Sequence, residues 1–218
     1  QNNLNTGRAR GCNIGSQTAA LFCGGQEPSI SANSEEYNGT SWTSVTNTPQ
    51  HAYTAAGAGI LTAGVIFGGQ TAPGGDPGQA TNTNVTLEYD GTNWTSGNDM
   101  GTERYVVPGT EGTQTASFCA GGLIPPSTVQ TINEEYDGTN WTAGTVLPSV
   151  RWSAAGAGTL TAGLIAGGAS NHPATTLLAT SLSYDGTTWA ATPNLATARN
   201  SVGGAGASSS SAVVFGGM

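Results

Sequence analysis

The chain has 218 residues, a formal net charge of −8 and only 8% charged residues, and its five basic residues are all arginine. Without lysine or a basic run there is no phosphate-tracking footprint, which argues against nucleic-acid binding. No stretch approaches the ~20 consecutive apolar residues that span a bilayer, so membrane insertion is not expected either. A chain of this length buries roughly 70% of its unfolded surface.

Taken in chain order, three markers recur. Leu4-Asn-Thr-Gly-Arg8 leads to an apolar run closed by Gly24-Gly25, and then comes Tyr37-Asn-Gly-Thr-Ser-Trp42. The second round reads Asn47-Thr-Pro-Gln-His51, Gly68-Gly69 and Tyr89-Asp-Gly-Thr-Asn-Trp94. The third reads Met100-Gly-Thr-Glu-Arg104, Gly121-Gly122 and Tyr136-Asp-Gly-Thr-Asn-Trp141. The fourth reads Leu147-Pro-Ser-Val-Arg151, Gly167-Gly168 and Tyr184-Asp-Gly-Thr-Thr-Trp189. A last round has Leu195-Ala-Thr-Ala-Arg199 and Gly216-Gly217 without the aromatic phrase. A period of about 50 residues in a sequence of strand-like runs points to stacked β units of the propeller type.

Within the round from Leu147 to Asn194, four strands are expected. Trp152–Gly158 alternates Ala and Gly, which suits a crowded inner strand, and Gly163–Gly168 is apolar and ends where glycine permits a bend or a close backbone approach. The third strand runs into Tyr184 and the fourth leaves through Trp189. Asp185-Gly186 between them predicts a two-residue type I′ turn. That register sets Tyr184 opposite Thr187 and Leu182 opposite Trp189, making Tyr184 and Trp189 diagonal neighbours on one face. The same role, packing one sheet on the next, is assigned to Tyr37, Trp42, Tyr89, Trp94, Tyr136 and Trp141.

Four strands per unit, a glycine pair after the second, and then a Tyr and a Trp resemble the kelch repeat of β-propellers. The tight Tyr-to-Trp spacing, with Leu-x-Thr-x-Arg and Ala-Gly-Ala-Gly, is similar to kelch-like repeats in structural and tail-associated proteins of marine cyanobacterial phages. The resemblance covers nearly the whole chain and implies an all-β propeller, residues 1–218 as one domain, with about five blades and the fifth incomplete. Its outer hairpin is expected upstream of Gln1 or from a partner chain. The implied function is a non-enzymatic virion or extracellular protein that makes protein or host-surface contacts. A stand-alone carbohydrate-binding module for acidic glycans is the alternative, and a glycosidase is third.

In kelch-like propellers, the third marker sits near one mouth of the central channel. Arg8, His51, Arg104, Arg151 and Arg199 would therefore form a basic ring there, and clustered guanidinium groups bind carboxylate, sulfate or phosphate through paired donors. The other reading ties each arginine to a neighbouring carboxylate or carbonyl; the acids available include Glu103, Glu35, Glu36, Glu88, Glu134 and Glu135.

No cofactor is expected. His51 and His172 are the only imidazoles, too few for a copper or zinc centre of the usual ligand set. Glycoside cleavage needs two carboxylates about 5 to 10 Å apart at one site, and only Glu103 and Glu111 are placed close to the channel. Asn38, Asn84, Asn93 and Asn140 match the glycosylation acceptor pattern, but all except Asn84 lie inside the hairpin phrase and read as repeat chemistry. Cys12, Cys23 and Cys119 are an odd number; Cys12 and Cys23 face each other if the chain turns at Gln17-Thr18, and free buried thiols are expected. Pro73–Gly78, Pro125-Pro126 and Asn171-His172-Pro173 mark unequal loops on a shared surface, where propellers vary their contacts.

Overall fold

The computed structural model describes residues 2–72, 75, 80–106 and 112–218. Its elements are strands throughout, and no α-helix occurs among the described residues. The contacts divide into two compact units, Gln1–Tyr105 and Val106–Met218.

In the first unit, β1 (Cys12–Ser16), β2 (Ala19–Cys23), β3 (Ser34–Tyr37) and β4 (Trp42–Val45) form an antiparallel meander. After it come β5 (Ala56–Ile60), β6 (Ala63–Phe67) and a small pair, β7 (Gln70–Thr71) with β8 (Thr81–Asn82). With β9 (Thr86–Tyr89) and β10 (Trp94–Ser96), β5 and β6 make a second four-stranded sheet ordered β10-β9-β6-β5. Period-two alternation sends Cys12, Ile14, Leu21 and Cys23 to one face of the first sheet, where they form a core with Ile66, Leu87, Tyr89 and Trp94 of the second.

The second unit repeats the plan. β11 (Gly112–Thr113), β12 (Ala116–Ala120), β15 (Asn133–Tyr136) and β16 (Trp141–Ala143) form one sheet, with β13 (Leu123–Ile124) and β14 (Thr128–Val129) as a satellite pair. β17 (Ala155–Thr159), β18 (Ala162–Ala166), β19 (Ser181–Tyr184) and β20 (Trp189–Thr192) form the next. Phe118 of β12 meets Tyr184 and Trp189 at ring distances of 5.5 and 5.9 Å, and Ile165 and Leu182 complete that core. β21 (Val202–Gly206) and β22 (Ala212–Gly216) pair only with each other.

The described residues therefore hold four complete four-stranded blades, which corrects the expectation of about five. The last round contributes a two-stranded remainder whose outer side chains lie open: Val213 is 57% and Phe215 55% exposed. At the position Phe215 occupies before its glycine pair, Cys23, Phe67, Ala120 and Ala166 are at most 1% exposed, because each of their strands is covered by a third one.

Small residues on the inner strands have a direct steric cause. A Cβ on Gly204 of β21 would lie 2.3 Å from the Gly156 carbonyl oxygen of β17, so these neighbours approach backbone to backbone.

The aromatic hairpin departs from the expected turn. Tyr184 lies directly opposite Trp189, as Tyr37 does Trp42, Tyr89 does Trp94 and Tyr136 does Trp141. The rings are 4.5 to 5.0 Å apart. Four residues form the loop, not two, and only its glycine has positive φ, +88° at Gly186. The Asp185 side chain decides this: its Oδ1 accepts the N–H groups of Thr187 and Thr188 at 2.8 and 2.6 Å, an Asx arrangement that replaces the type I′ turn.

Candidate functional site

The five basic positions differ in exposure. Arg104 and Arg151 are both fully buried. The Arg151 Nη1 donates to the carbonyl oxygens of Gly167 and Thr180 at 2.9 and 2.7 Å, and Nη2 donates to Thr180 Oγ1 at 2.7 Å. Burial pulls its pKa down to about 10, which leaves the guanidinium charged at neutral pH. Arg8 Nη1 pairs with Glu35 Oε1 at 2.8 Å, with both side chains 2% exposed, and the same carboxylate accepts the Asn5 N–H through Oε2. Arg199, partly exposed, donates to the Gly216 carbonyl at 3.1 Å.

The main chain of this marker is as important as its side chains. The second glycine of each of three pairs donates its N–H to the basic position of the following round: Gly69 to the Arg104 carbonyl, Gly122 to Arg151 and Gly168 to Arg199, at 2.7 to 2.8 Å. The equivalent bond from Gly25 goes to the carbonyl of Ala52. His51 is therefore one residue out of register, and Ala52 holds the position that arginine holds elsewhere. The first glycine is required by closeness: a Cβ at Gly24 would sit 2.1 Å from the Ala52 oxygen, and one at Gly121 2.4 Å from that of Arg151.

Two residues beyond Arg8, Ala52, Arg104, Arg151 and Arg199 the chain turns left-handed at non-glycine residues, with φ of +59° at Arg10, +55° at Thr54, +46° at Val106 and +54° at Ser153 and Ser201. Their backbones are linked in each unit: the Thr54 N–H donates to the Arg10 carbonyl, Ser153 to Val106 and Ser201 to Ser153. Motif reasoning did not single out Arg10, yet it is the exposed guanidinium of the first unit, donating to the Tyr53 hydroxyl at 2.7 Å. Its signal was its place in a second arginine column after Arg8, a column the other rounds do not repeat.

The acids before the tyrosines are occupied as well. Tyr89 donates to Glu36 Oε1 at 2.6 Å, and Tyr184 donates to Glu135 Oε1. Burial, then the hydrogen bond and the charge of the glutamate, raise both phenols above their ordinary range. Trp94 Nε1 donates to the Thr46 carbonyl and Trp189 Nε1 to that of Thr145. Each of these aromatic pairs thus reaches back to the preceding blade of its own unit.

Other candidates are also accounted for. Glu103 is exposed, while Glu111 and most of Pro73–Gly78 lie outside the described residues. No group of three His, Cys, Asp or Glu able to hold a metal occurs among the described residues. His172 sits 5.1 Å from the Trp152 ring. Asn84 uses its Nδ2 on the Met100 carbonyl, and Asn38 Oδ1 accepts from Thr40 and Ser41 in the first Asx loop. A shallow groove of about 420 Å³ in the first unit is lined by Pro49, Gln50, Val85, Leu87, Ser96, Gly97, Asn98 and Asp99.

No protein-family model matches the chain. No curated protein matches its sequence. Among solved structures the chain is similar to one described as the structure of YjhT, with 12% sequence identity and a TM-score of 0.79 over 97% of this chain and 77% of that one. At such low identity the likeness concerns the fold alone, and it supports a propeller-type arrangement of antiparallel sheets.

Proposed function

We propose that this chain is a non-catalytic, kelch-like propeller of virion-associated or extracellular type that works by contact with other proteins. The observation that carries this reading is the outer edge of β22. In four blades the second strand is covered by a third that ends in the Tyr-x-Gly-Thr-x-Trp loop; β22 carries the same apolar residues with Val213 and Phe215 more than half exposed. A partner strand laid along this edge gains main-chain hydrogen bonds and covers those side chains, the logic of β-strand addition. The engagement of these groups supports the same reading: Arg8, Arg151 and Arg199 bond within their own rounds, while Glu36 and Glu135 accept from the tyrosines of the following blades.

The test is a labelled peptide of residues 179–192, the third and fourth strands of one blade, titrated into the chain and followed by fluorescence anisotropy. Saturable binding, lost when Tyr184 of the peptide is replaced by Ala, is expected. Absence of binding up to millimolar peptide overturns the proposal.

A second reading, a carbohydrate-binding module, rests on the groove at Gln50, Asn98 and Asp99, where amides and a carboxylate flank the apolar Val85 and Leu87. With Asp99 on its wall and Arg104 and Arg151 buried, this site suits a neutral sugar better than an acidic one. Binding of neutral oligosaccharides that vanishes in Asp99→Ala would favour it over the protein-contact reading. The glycosidase reading has the least support, because Glu35, Glu36 and Glu135 are bonded to Arg8, Tyr89 and Tyr184.

A further inference from the structure

The first hairpin turns at Gln17-Thr18, which sets Cys12 directly opposite Cys23 across β1 and β2. The two cysteines are not joined by a disulfide, are buried at 4% and 0% exposure, and belong to the core shared with the second sheet. Directly opposed residues of an antiparallel pair have Cα atoms about 4.5 to 5.5 Å apart, inside the range of about 4.4 to 6.8 Å that a cystine spans. Their Cβ atoms start about 4.5 to 5.5 Å apart and must come to roughly 3.8 Å, a closure of about 1 Å. The Cys12 Sγ rests over Gly57 across the blade boundary, where a Cβ would lie 2.4 Å from it.

We propose that Cys12 and Cys23 are a modification site, an internal dithiol that closes to a cystine when the chain folds in the presence of a small-molecule disulfide. The exchange balances in two steps. The Cys12 thiolate attacks one sulfur of oxidised glutathione, breaking its S–S bond and releasing one glutathione thiolate. The Cys23 thiolate then attacks the Cys12 sulfur of the mixed disulfide and releases the second. Two protein thiols are oxidised, one glutathione disulfide is reduced, and the two protons lost by the cysteines are taken up by the departing thiolates. Cys119, on β12, faces Glu134 in its own sheet and has no cysteine in register, so it stays a thiol. The cystine staples the innermost hairpin of the first blade and, by constraining the unfolded chain, lowers the unfolding equilibrium constant by about a hundredfold.

The test is refolding from denaturant in a glutathione redox buffer, so that burial does not bar the oxidant, followed by quenching with iodoacetamide under denaturing conditions and intact-mass analysis. One alkyl group is expected on the oxidised chain, three on the reduced chain, and none on oxidised Cys119→Ser. Cys12→Ser is expected to keep two alkylatable thiols and to lose the oxidant-dependent gain in stability. Three free thiols after refolding in oxidising buffer, a retained glutathione adduct, or a cystine that includes Cys119 overturns the proposal.

Discussion

Tyr89 of β9 donates its phenolic proton to Glu36 of β3 at 2.6 Å, a bond from one blade to the one before it. Tyr184 and Glu135 repeat the relationship in the second unit. A hydrogen bond to a charged acceptor contributes more than a neutral one, so Tyr89→Phe should cost about 1.5 kcal/mol in urea denaturation. The pH dependence has a definite sign. Because the folded-state pKa is raised above the ordinary phenol value of about 10, the contribution is complete below that value and is lost as pH rises through the folded-state pKa. Tyr89→Phe with Tyr184→Phe should therefore flatten the alkaline limb of a stability-against-pH profile.

The acid limb belongs to the hairpin loops. Asp90, Asp137 and Asp185 are held below the usual carboxylate range, chiefly by the backbone N–H groups of Asn93, Asn140 and Thr188, and then by those of Thr92, Thr139 and Thr187. Groups with a depressed folded-state pKa stabilise fully above their unfolded value of about 3.9, and that contribution is lost as pH falls through the folded-state value. The first loop already carries Asn38, whose Oδ1 accepts the same two bonds without titrating. Replacing the three aspartates with asparagine should keep the fold at neutral pH and reduce the loss of thermal midpoint between pH 4 and pH 2.

Arg151 and Arg199 occupy equivalent positions in different surroundings. Arg151→Ala removes a buried side chain and its hydrogen bonds to the Gly167 carbonyl and to the carbonyl and hydroxyl of Thr180, which should cost about 3 kcal/mol or more. Arg199→Ala, whose side chain is partly exposed, should cost less than about 1 kcal/mol. Chemical denaturation of the two variants compares them directly.

Thr54 is β-branched and yet left-handed, a conformation that costs on the order of 1 to 3 kcal/mol in a non-glycine residue. Thr54→Gly should therefore raise the thermal midpoint, the relief outweighing the entropy that glycine adds to the unfolded chain.

Much of the blade plan was legible because its determinants are local. The aromatic phrase and the glycine pairs recur with the strands they bound, and both need a particular residue type: a ring to pack, or the absence of a Cβ at Gly24 and Gly121. The turn was misread because Asp-Gly suits two loops, and an Asp side chain capping two N–H groups wins only when the residues after it are free to turn inward. Ala52 was missed because spacing alone cannot tell a shifted histidine from a lost arginine; the bond from Gly25 can. The burial of Arg151 was not legible because its partners, the Gly167 and Thr180 carbonyls, are main-chain groups that the residue type at those positions does not announce.

The contact reading stands or falls on the β22 edge. Hydrogen exchange of the whole chain, measured with and without the peptide of residues 179–192, tests it at single-strand resolution. The account predicts slowed exchange in Ala212–Phe215, with the rest of the chain little changed. Unchanged exchange in β22, or protection confined to other strands, would contradict it.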